Sequence, residues 1–420
     1  MMSKEKRRVP KLRFPGFTED WEQRKLGDFY TFKNGLNKEK VYFGYGDSIV
    51  NFTDVFHNRQ IYSSTLKGKV CVNKKELENY KVKEGDLFFT RTSETIDEIG
   101  FPAVVMEPME RVVFSGFVLR GRAEKYDPLV NIFKSYIFFT NNFRSEMKKK
   151  SSMTTRALTS GTALKEMYFS YPKDLEEQTK IGEILLRLDK IITLHQRKLD
   201  NLKLKKKALL QKLFPKNGER YPELRFPGFT DAWEQCKLSD LTQLITKGTT
   251  PKVKNIQNGV NFIKVENISD DGVISINSYV SEEEHMNFLS RSILSNNDIL
   301  FSIAGTLGRT AIVKSHLLPA NTNQALAIIR LNKSVDVVYI NTFLKSNAIK
   351  TYIRKNPTVG AQPNLSLGQV SDLEINIPSY NEQKKISNLF SKFDLMITLH
   401  QRKLDHLQLQ KKALLQQMFV

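Results

Sequence analysis

The sequence predicts an α+β protein in which two globular modules of mixed α/β structure are joined by two long helices that form an antiparallel coiled coil. Two duplications and one periodicity predict this fold. The segment Ile192–Asp200 (ITLHQRKLD) recurs unchanged as Ile397–Asp405, 205 positions later. The segment Leu12–Leu26 recurs as Leu224–Leu238 with twelve of its fifteen positions identical. The two halves are therefore expected to be related by a pseudo-two-fold internal repeat.

The long helices are predicted by apolar residues that alternate at spacings of four and three over 177–214 and again over 382–419. A 4-3 repeat of this length is typical of a coiled-coil seam. Each helix would be about 57 Å long, which is too long for one compact core, so each seam is expected to pack against the other. The central seam residues are Leu188, Ile192, His195, Leu199, Phe393, Ile397, His400 and Leu404.

The repeat also sets the expected boundaries of the parts. They are a first module at 12–175, a long helix at 176–214, a linker at 215–223, a second module at 224–380 and a second helix at 381–419. Trp21 and Trp233 occupy equivalent positions where each module begins and are interpreted as packing anchors. The modules differ in length and look least alike between Leu26 and Phe133, which suggests that they do the same job on different targets.

Inside the modules the pattern is one of short strands and polar loops. Apolar runs preceded by turn residues predict equivalent buried strands at Asp86–Thr90 and Asp298–Ser302. Ser366 and Gln369 fit a capping box at the start of a short helix. Further strands are predicted at Phe101–Met106, Arg111–Leu119, Ala311–Val313 and Leu326–Leu331, and helical patterns at Phe133–Lys150 and Val338–Lys355.

The charge of the chain points to a polyanionic partner. Its 420 residues carry a formal net charge of +20, which favours nucleic acid first and an anionic membrane surface second. Much of the excess lies on the long helices, where a solvated coiled-coil surface also explains it. Cys71 and Cys236 indicate reduced thiols, and no run of 18 apolar residues occurs. We therefore expect a cytoplasmic protein that does not span a membrane.

Catalytic motifs are not found in the sequence. It has no phosphate-binding loop ending in Gly-Lys-Ser/Thr, no Asn/Asp-Pro-Pro-Tyr/Phe tetrapeptide of amino methyltransferases and no Pro-Asp dipeptide of nucleases. The six histidines are scattered without the spacing of metal ligands, so no metal site is predicted. The chain is interpreted as a reader and not as a catalyst.

Several duplicated motifs occur together in one order. They are the Arg-Phe-Pro-Gly-Phe and Trp-Glu-Gln segments, the Glu-Gln start of each long helix, the ITLHQRKLD core and the closing Lys-Lys-Ala-Leu-Leu-Gln. In these motifs the chain resembles the DNA-specificity (S) subunits of type I restriction-modification enzymes over essentially its full length. Ala361–Ser366 and Asn323–Ala327 are similar to stretches of the target-recognition domains of that family, whereas the first module has Arg156–Ser160 in place of Ala361–Ser366.

The resemblance implies that the modules are two target-recognition domains, each reading one half of a bipartite site in double-stranded DNA. It implies that the helices set the unread spacer and dock two modification (methyltransferase) subunits, which act on adenine. Two restriction subunits would add translocation and cleavage. The chain itself would be non-catalytic and without a cofactor, and S-adenosylmethionine, ATP and Mg are expected on the partner subunits.

Candidate DNA-binding residues are polar or cationic side chains in the loops, because such groups bind phosphates and base edges. For each of them, the alternative that it is only a solvated turn residue stays open. In the first module they are Arg91, Thr92 and Arg156, and in the second Lys247, Thr249, Thr250, Lys252, Arg309, Asn323, Gln362 and Asn364.

Three other classes of protein stay open. A basic coiled-coil nucleic-acid-binding scaffold without a restriction-modification role would explain the helices but not the two dissimilar modules. A stand-alone nuclease or methyltransferase is disfavoured by the missing motifs. An RNA-binding protein is compatible with the charge, although the stacking aromatics of an RNP-type motif are not found.

Overall fold

The computed structural model describes residues 8–216, 218–253, 256–356 and 364–420. They form two compact units. Unit 1 comprises the described chain through His195 together with Lys403–Val420, and unit 2 comprises Gln196–Arg402. Each unit contains one globular module and part of each long helix, so the division crosses both helices instead of following the ends of the modules.

Unit 1 is built on a five-stranded sheet with the strand order β2-β10-β6-β8-β4. Smaller sheets, β5-β3-β9 and β11-β12-β7, and the pair β1-β13 accompany it. The strands are β1 (Glu22–Lys25), β2 (Tyr30–Asn34), β3 (Phe43–Val50), β4 (Gln60–Ile61), β5 (Lys69–Val70), β6 (Leu87–Thr90), β7 (Thr92–Ser93), β8 (Pro102–Val105), β9 (Val112–Phe114), β10 (Val118–Ala123), β11 (Ser152–Met153), β12 (Ala157–Leu158) and β13 (Tyr168–Tyr171). The helices are α1 (Phe52–Val55), α2 (Lys74–Tyr80), α3 (Asn131–Ile137), α4 (Asn141–Lys150), α5 (Gly161–Lys165) and the first part of α6 (Leu175–Lys212).

Unit 2 repeats this plan with fewer strands. A four-stranded sheet has the order β15-β21-β18-β19, and β17-β16-β20 and the pair β14-β22 accompany it. The strands are β14 (Glu234–Lys237), β15 (Thr242–Lys247), β16 (Val260–Ile263), β17 (Tyr279–Val280), β18 (Ile299–Ser302), β19 (Thr310–Ile312), β20 (Ala320–Thr322), β21 (Leu326–Leu331) and β22 (Glu374–Ile377). The helices are α7 (Glu282–Met286), α8 (Val337–Phe343), α9 (Asn347–Lys355), α10 (Leu367–Ser371) and the first part of α11 (Tyr380–Gln417).

Three predicted elements are interrupted in the structure. The single strand expected at Arg111–Leu119 is split into β9 and β10, which belong to different sheets, because the chain turns at Ser115, whose carbonyl accepts from the backbone of Val118 at 3.1 Å. The helical pattern at Phe133–Lys150 is split into α3 and α4, and the equivalent pattern at Val338–Lys355 is split into α8 and α9. Between α3 and α4 the backbone of Thr140 donates to the carbonyl of Ile137, so a tight turn of the i to i+3 type follows α3.

The two tryptophans anchor the cores, as predicted. Trp21 is buried and packs edge-on against Phe133, at 5.9 Å between ring centroids, and against Phe419, at 6.1 Å. In unit 2, Trp233 packs in the same way on Phe214, at 6.3 Å. Phe419 and Phe214 follow the ends of α11 and α6, so each core is completed by the residue that leaves a long helix.

The Glu-Gln motif fastens each module to its helix. In unit 1 the Gln178 side chain accepts from the backbone of Val130 at 2.8 Å and donates to the carbonyls of Pro128 and Pro172, both at 2.8 Å. These backbone groups would otherwise be buried without partners, which is costly. In unit 2 the Gln383 side chain accepts from the backbone of Asp336 at 3.1 Å and donates to the carbonyl of Pro378 at 2.9 Å.

The long helices are antiparallel within each unit. In unit 1 the Lys411 ammonium binds the carboxylate of Asp189, so the end of α11 lies beside the first half of α6. In unit 2, Lys206 binds Asp394. Each of the eight expected seam residues is buried or half-buried, whereas neighbours such as Leu194 are exposed. No helix of the described chain is long and apolar enough to cross a membrane.

Candidate nucleic-acid interface

The loops of unit 2 that hold most of the candidate residues meet at one edge of the main sheet. β21 is antiparallel to both β15 and β18, and β19 is antiparallel to β18. The ends of β15 and β18 and the beginnings of β21 and β19 must therefore lie at the same edge. The loops there, residues 247–252, 303–309 and 321–325 together with Asn364, are named the loop edge of unit 2.

Two of these loops pack directly on each other. The backbone of Thr249 donates to the carbonyl of Thr322 at 3.0 Å, and the Thr250 hydroxyl donates to the side-chain carbonyl of Gln324. Gly248 permits this approach, because a Cβ at that position would lie 2.1 Å from the Thr322 carbonyl oxygen. The loops therefore present their side chains from a fixed backbone.

The cations and amides of this edge differ in exposure. Lys247 is exposed and Asn323 is half-buried. Lys252 is exposed too, but its backbone donates to the Glu284 carboxylate at 2.6 Å and its ammonium lies 4.3 Å from the centroid of the Phe288 ring. Lys252 is thus held near the surface and not free to extend in any direction.

Asn364 joins the same edge from a distant part of the chain. It forms a β-bridge with Ala304, and the next residue, Leu365, donates its backbone N–H to the carbonyl of Ile303 at 2.8 Å. The Asn364 residue is exposed. Gln362 lies outside the described residues.

Arg309 begins at the loop edge but its side chain is already engaged. The guanidinium binds the carboxylate of Asp270, at 2.9 and 3.0 Å, and the carbonyl of Ile268 at 3.1 Å. The Arg309 guanidinium is therefore less available to a ligand than the ammonium groups of the exposed lysines.

Unit 1 brings its three candidate residues together. β10 is antiparallel to both β2 and β6, so the ends of β2 and β6 and the beginning of β10 share one edge. Arg91 and Thr92 follow β6, and the backbone of Arg91 donates to the carbonyl of Phe117 at 3.0 Å. The residues at this edge, 35–38, 91–95, 115–117 and 152–158, are named the loop edge of unit 1.

Arg156 reaches this edge through a short hairpin. β12 pairs with β7, with Leu158 opposite Thr92, and β11 pairs with β12 on its other side. Arg156 lies in the turn between β11 and β12 and is exposed. Residues far apart in the chain are thereby placed on one three-stranded surface.

Two features of this edge were missed by the sequence reasoning. Gly35 has the same role as Gly248, since a Cβ there would lie 2.2 Å from the Ser115 carbonyl oxygen. Phe117 is 63% exposed in the facing loop, where its ring is available for stacking. Of the two features, only Gly35 could have been predicted from the sequence, because a glycine follows the repeated Trp-Glu-Gln segment at nearly the same distance in both halves.

A buried ion pair fixes the sheet in each unit. The Arg122 guanidinium donates twice to Asp86, both bonds at 2.6 Å, and Arg330 donates twice to Asp298, both at 2.8 Å. The Asp298 hydrogen bonds raise the pKa of Arg330 above its ordinary value. Each pair joins the aspartate that precedes β6 or β18 to an arginine of the neighbouring strand, β10 or β21. These aspartates therefore have a structural role. Among the described residues no group of three His, Cys, Asp or Glu side chains could hold a metal ion.

The comparisons with known proteins agree with this architecture. A family model described as type I restriction modification DNA specificity domain matches residues 18–204 and 230–409. The MjaVIII specificity subunit of a type I restriction enzyme from Methanocaldococcus jannaschii is 20% identical over 96% of this chain and 92% of its own length. The putative MjaX specificity subunit from the same organism is 22% identical over 94% of this chain and 92% of its own length. The crystal structure of a type I S subunit from M. genitalium has the same fold, with a TM-score of 0.59 over 98% of this chain and 99% of that chain, at 15% identity.

The duplicated frame with two unlike loop edges defines a two-module reader. The chain belongs to the type I restriction-modification DNA specificity family, with one specificity domain in each half. It is a specificity subunit: its domains recognise DNA sequence, and the chain is not itself the catalyst. The scaffold without a restriction-modification role is not favoured.

Proposed function

We propose that each loop edge reads one half of a bipartite site in double-stranded DNA. The observation that carries the proposal is that two different sets of polar loops occupy the same edge of two equivalent sheets. Polar side chains on loops held by rigid strands are suited to hydrogen bonding with base edges. Because the frames are duplicated and the loops differ, the half-sites should differ in sequence while being read in similar geometry.

The residues divide by charge. Arg91, Arg156, Lys247 and Lys252 carry the charge that phosphates or guanine edges would bind. The polar set Thr92, Thr249, Thr250, Asn323 and Asn364 is suited to base edges. Gln362, adjacent to this set in the sequence, is retained as a candidate from its motif alone. Arg309 is assigned to holding the loop in position, because Asp270 already binds its guanidinium.

We also propose that the long helices set the length of the unread spacer and dock two modification subunits, to which two restriction subunits are added. The support is a set of exposed apolar residues that lie off the seam and are duplicated with it. They are Leu194 and Leu399, 65% and 54% exposed, and Leu204 and Leu409, each 66% exposed. Exposed apolar residues in such a pattern mark protein-binding surfaces, and their duplication favours two equivalent partners. We expect those partners, and not this chain, to bind S-adenosylmethionine, ATP and Mg. We expect the assembly to be in the cytoplasm, where its DNA lies.

The test is a map of methylated adenines in a host that carries the modification subunit, with and without this chain. We expect methylation at one bipartite consensus only when the chain is present. Replacing residues 26–174 with the corresponding segment of another family member should change one half of that consensus and leave the other. Methylation that is independent of the chain, or a replacement that changes both halves, would contradict the proposal.

A further inference from the structure

A basic cleft of about 990 Å³ opens in unit 2 beside its loop edge. Loop 306–310 and loop 270–274 form one wall, and α6, α8 and α11 form the other. Five exposed cations lie on its rim: Lys203, Lys207, Lys314, Lys350 and Arg402. In the part of the chain that the structure describes, none of the five is within 4.0 Å of a carboxylate, so their charge is available to a ligand.

The floor of the cleft holds two further amines. Lys206 is bound to the carboxylate of Asp394, whereas the ammonium of Lys345 donates to the backbone carbonyl of Asp271 at 3.1 Å. Burial lowers the pKa of Lys345 to about 8, and the nearby charge of Lys206 acts in the same direction. A buried amine beside a second cation is stabilised when an anion enters.

The same place in unit 1 lacks three of these cations. Lys203, Lys345 and Lys350 correspond, at the helical offset of 205, to Gln408, Thr140 and Ser145. Because these three residues are neutral in unit 1, the positive charge at the equivalent positions of unit 2 is not a consequence of the duplication.

The corresponding cleft in unit 1 is also smaller, with a volume of about 340 Å³, and Arg59 lines it. The Arg59 guanidinium lies 3.7 Å from the centroid of the Phe139 ring and 3.9 Å from Asp189. Tyr136 donates to the same carboxylate at 2.9 Å. The larger and more basic cleft is therefore a property of unit 2, which argues against a partner that would bind both halves alike.

We infer that the cleft holds the sugar-phosphate backbone of DNA next to the half-site that unit 2 reads. This inference rests on the proposed function. Residues 306–309 belong both to the loop edge and to the cleft wall, so a duplex whose bases are read at that edge continues beside the rim cations. The floor includes Leu307, Ile312 and Ile397, against which sugars can pack. Phosphate contacts of this kind position a protein on DNA without reading sequence.

The test compares two triple variants of the full chain assembled with its modification subunits. Lys203, Lys207 and Lys350 are changed to Gln in the cleft variant, and the control variant has Lys205→Gln, Lys333→Gln and Lys392→Gln, three exposed lysines outside the cleft. The DNA is a duplex containing the methylated site. We expect the cleft variant to bind more weakly, with a plot of log K against log salt that is less steep by roughly 0.9 for each phosphate that the variant no longer binds. The methylated consensus should stay the same.

Three outcomes would contradict the inference. A cleft variant with the same salt dependence as the control variant overturns the inference. So does a cleft variant that binds DNA normally but no longer assembles with the modification subunit, because the cleft would then bind an acidic protein surface. If the unaltered complex does not bind the duplex selectively, the proposed function itself fails, and this inference fails with it.

Discussion

The guanidinium of Arg13 donates two hydrogen bonds to the carboxylate of Glu177, at 2.7 and 2.8 Å. The Glu177 side chain is 1% exposed and lies in the first turn of α6, where the helix dipole also favours a negative charge. Arg225 and Glu382 repeat the arrangement in unit 2, with both bonds at 2.8 Å. The repeated opening segment and the Glu-Gln motif thus bind each other, and this contact fixes each module to its helix.

Replacing Arg13 by Met should destabilise unit 1 by about 3 kcal/mol, because it leaves a buried carboxylate without its partner. The measurement is urea unfolding together with amide exchange of unit 1. The double variant Arg13→Met, Glu177→Leu should regain most of this stability. Lys25→Met is the control, since the Lys25–Glu166 pair is exposed and should contribute little to stability. Equal destabilisation by Arg13→Met and Lys25→Met would contradict the prediction.

Gly248→Ala should impair reading by unit 2 without unfolding the chain. The new Cβ would lie 2.1 Å from backbone oxygens of residues 322 and 323, so the two loops must separate. We expect at least about a tenfold loss of affinity for the second half-site, or about 1.4 kcal/mol. Gly368→Ala is a matched control, because the nearest atom to its Cβ, the Ser366 hydroxyl, is 3.7 Å away. Unchanged site affinity in Gly248→Ala would show that the packing of these two loops is dispensable.

Arg156→Ala should affect only the half-site read by unit 1. Arg156 is exposed in the hairpin turn beside Thr92, and loss of an arginine that binds a base edge costs about 1–3 kcal/mol and relaxes that position. The methylation consensus is the readout, and the second half-site serves as an internal control. A uniform loss of affinity across sequences would instead assign Arg156 to a phosphate.

Lys345 should make stability depend on pH above neutrality. Burial lowers its pKa to about 8 from the ordinary 10.5. The charges of Lys206 and Lys350 act in the same direction and those of Asp394 and Asp271 oppose it. Between these pH values the unfolded chain holds a proton that the folded chain has largely released. The free energy of unfolding therefore rises with pH in this window, by at most about 3 kcal/mol.

The measurement for Lys345 is urea unfolding of the unaltered chain and of Lys345→Met from about pH 7.5 to about pH 10.5, which brackets the two pKa values. The difference in unfolding free energy, unaltered minus variant, should increase with pH. Lys350→Met removes an exposed neighbouring charge and should show much less of this trend. Parallel curves for the unaltered chain and Lys345→Met would reject the prediction.

Local patterns allowed part of the fold to be predicted. The apolar runs at β6 and β18 are confirmed because turn residues bound them and all their residues are buried. The capping box at Ser366 is confirmed by two bonds with Gln369, at 2.8 and 3.1 Å. The split of Arg111–Leu119 into two sheets could not be predicted, because an apolar run does not record which strands will pair with it.

The sequence by itself determined the duplication, the two long helices and the family, because repeated segments and a 4-3 periodicity are properties of the chain alone. Only the tertiary structure decided which loops share an edge. Arg91 and Arg156 meet through the pairing of β7 with β12, which is a non-local contact. The tertiary structure also separated Arg309, whose charge is bound by Asp270, from cations that remain exposed. The physical reason is the same in both cases: a side chain's availability depends on its neighbours in space, and the spacing of residues along the chain does not specify them.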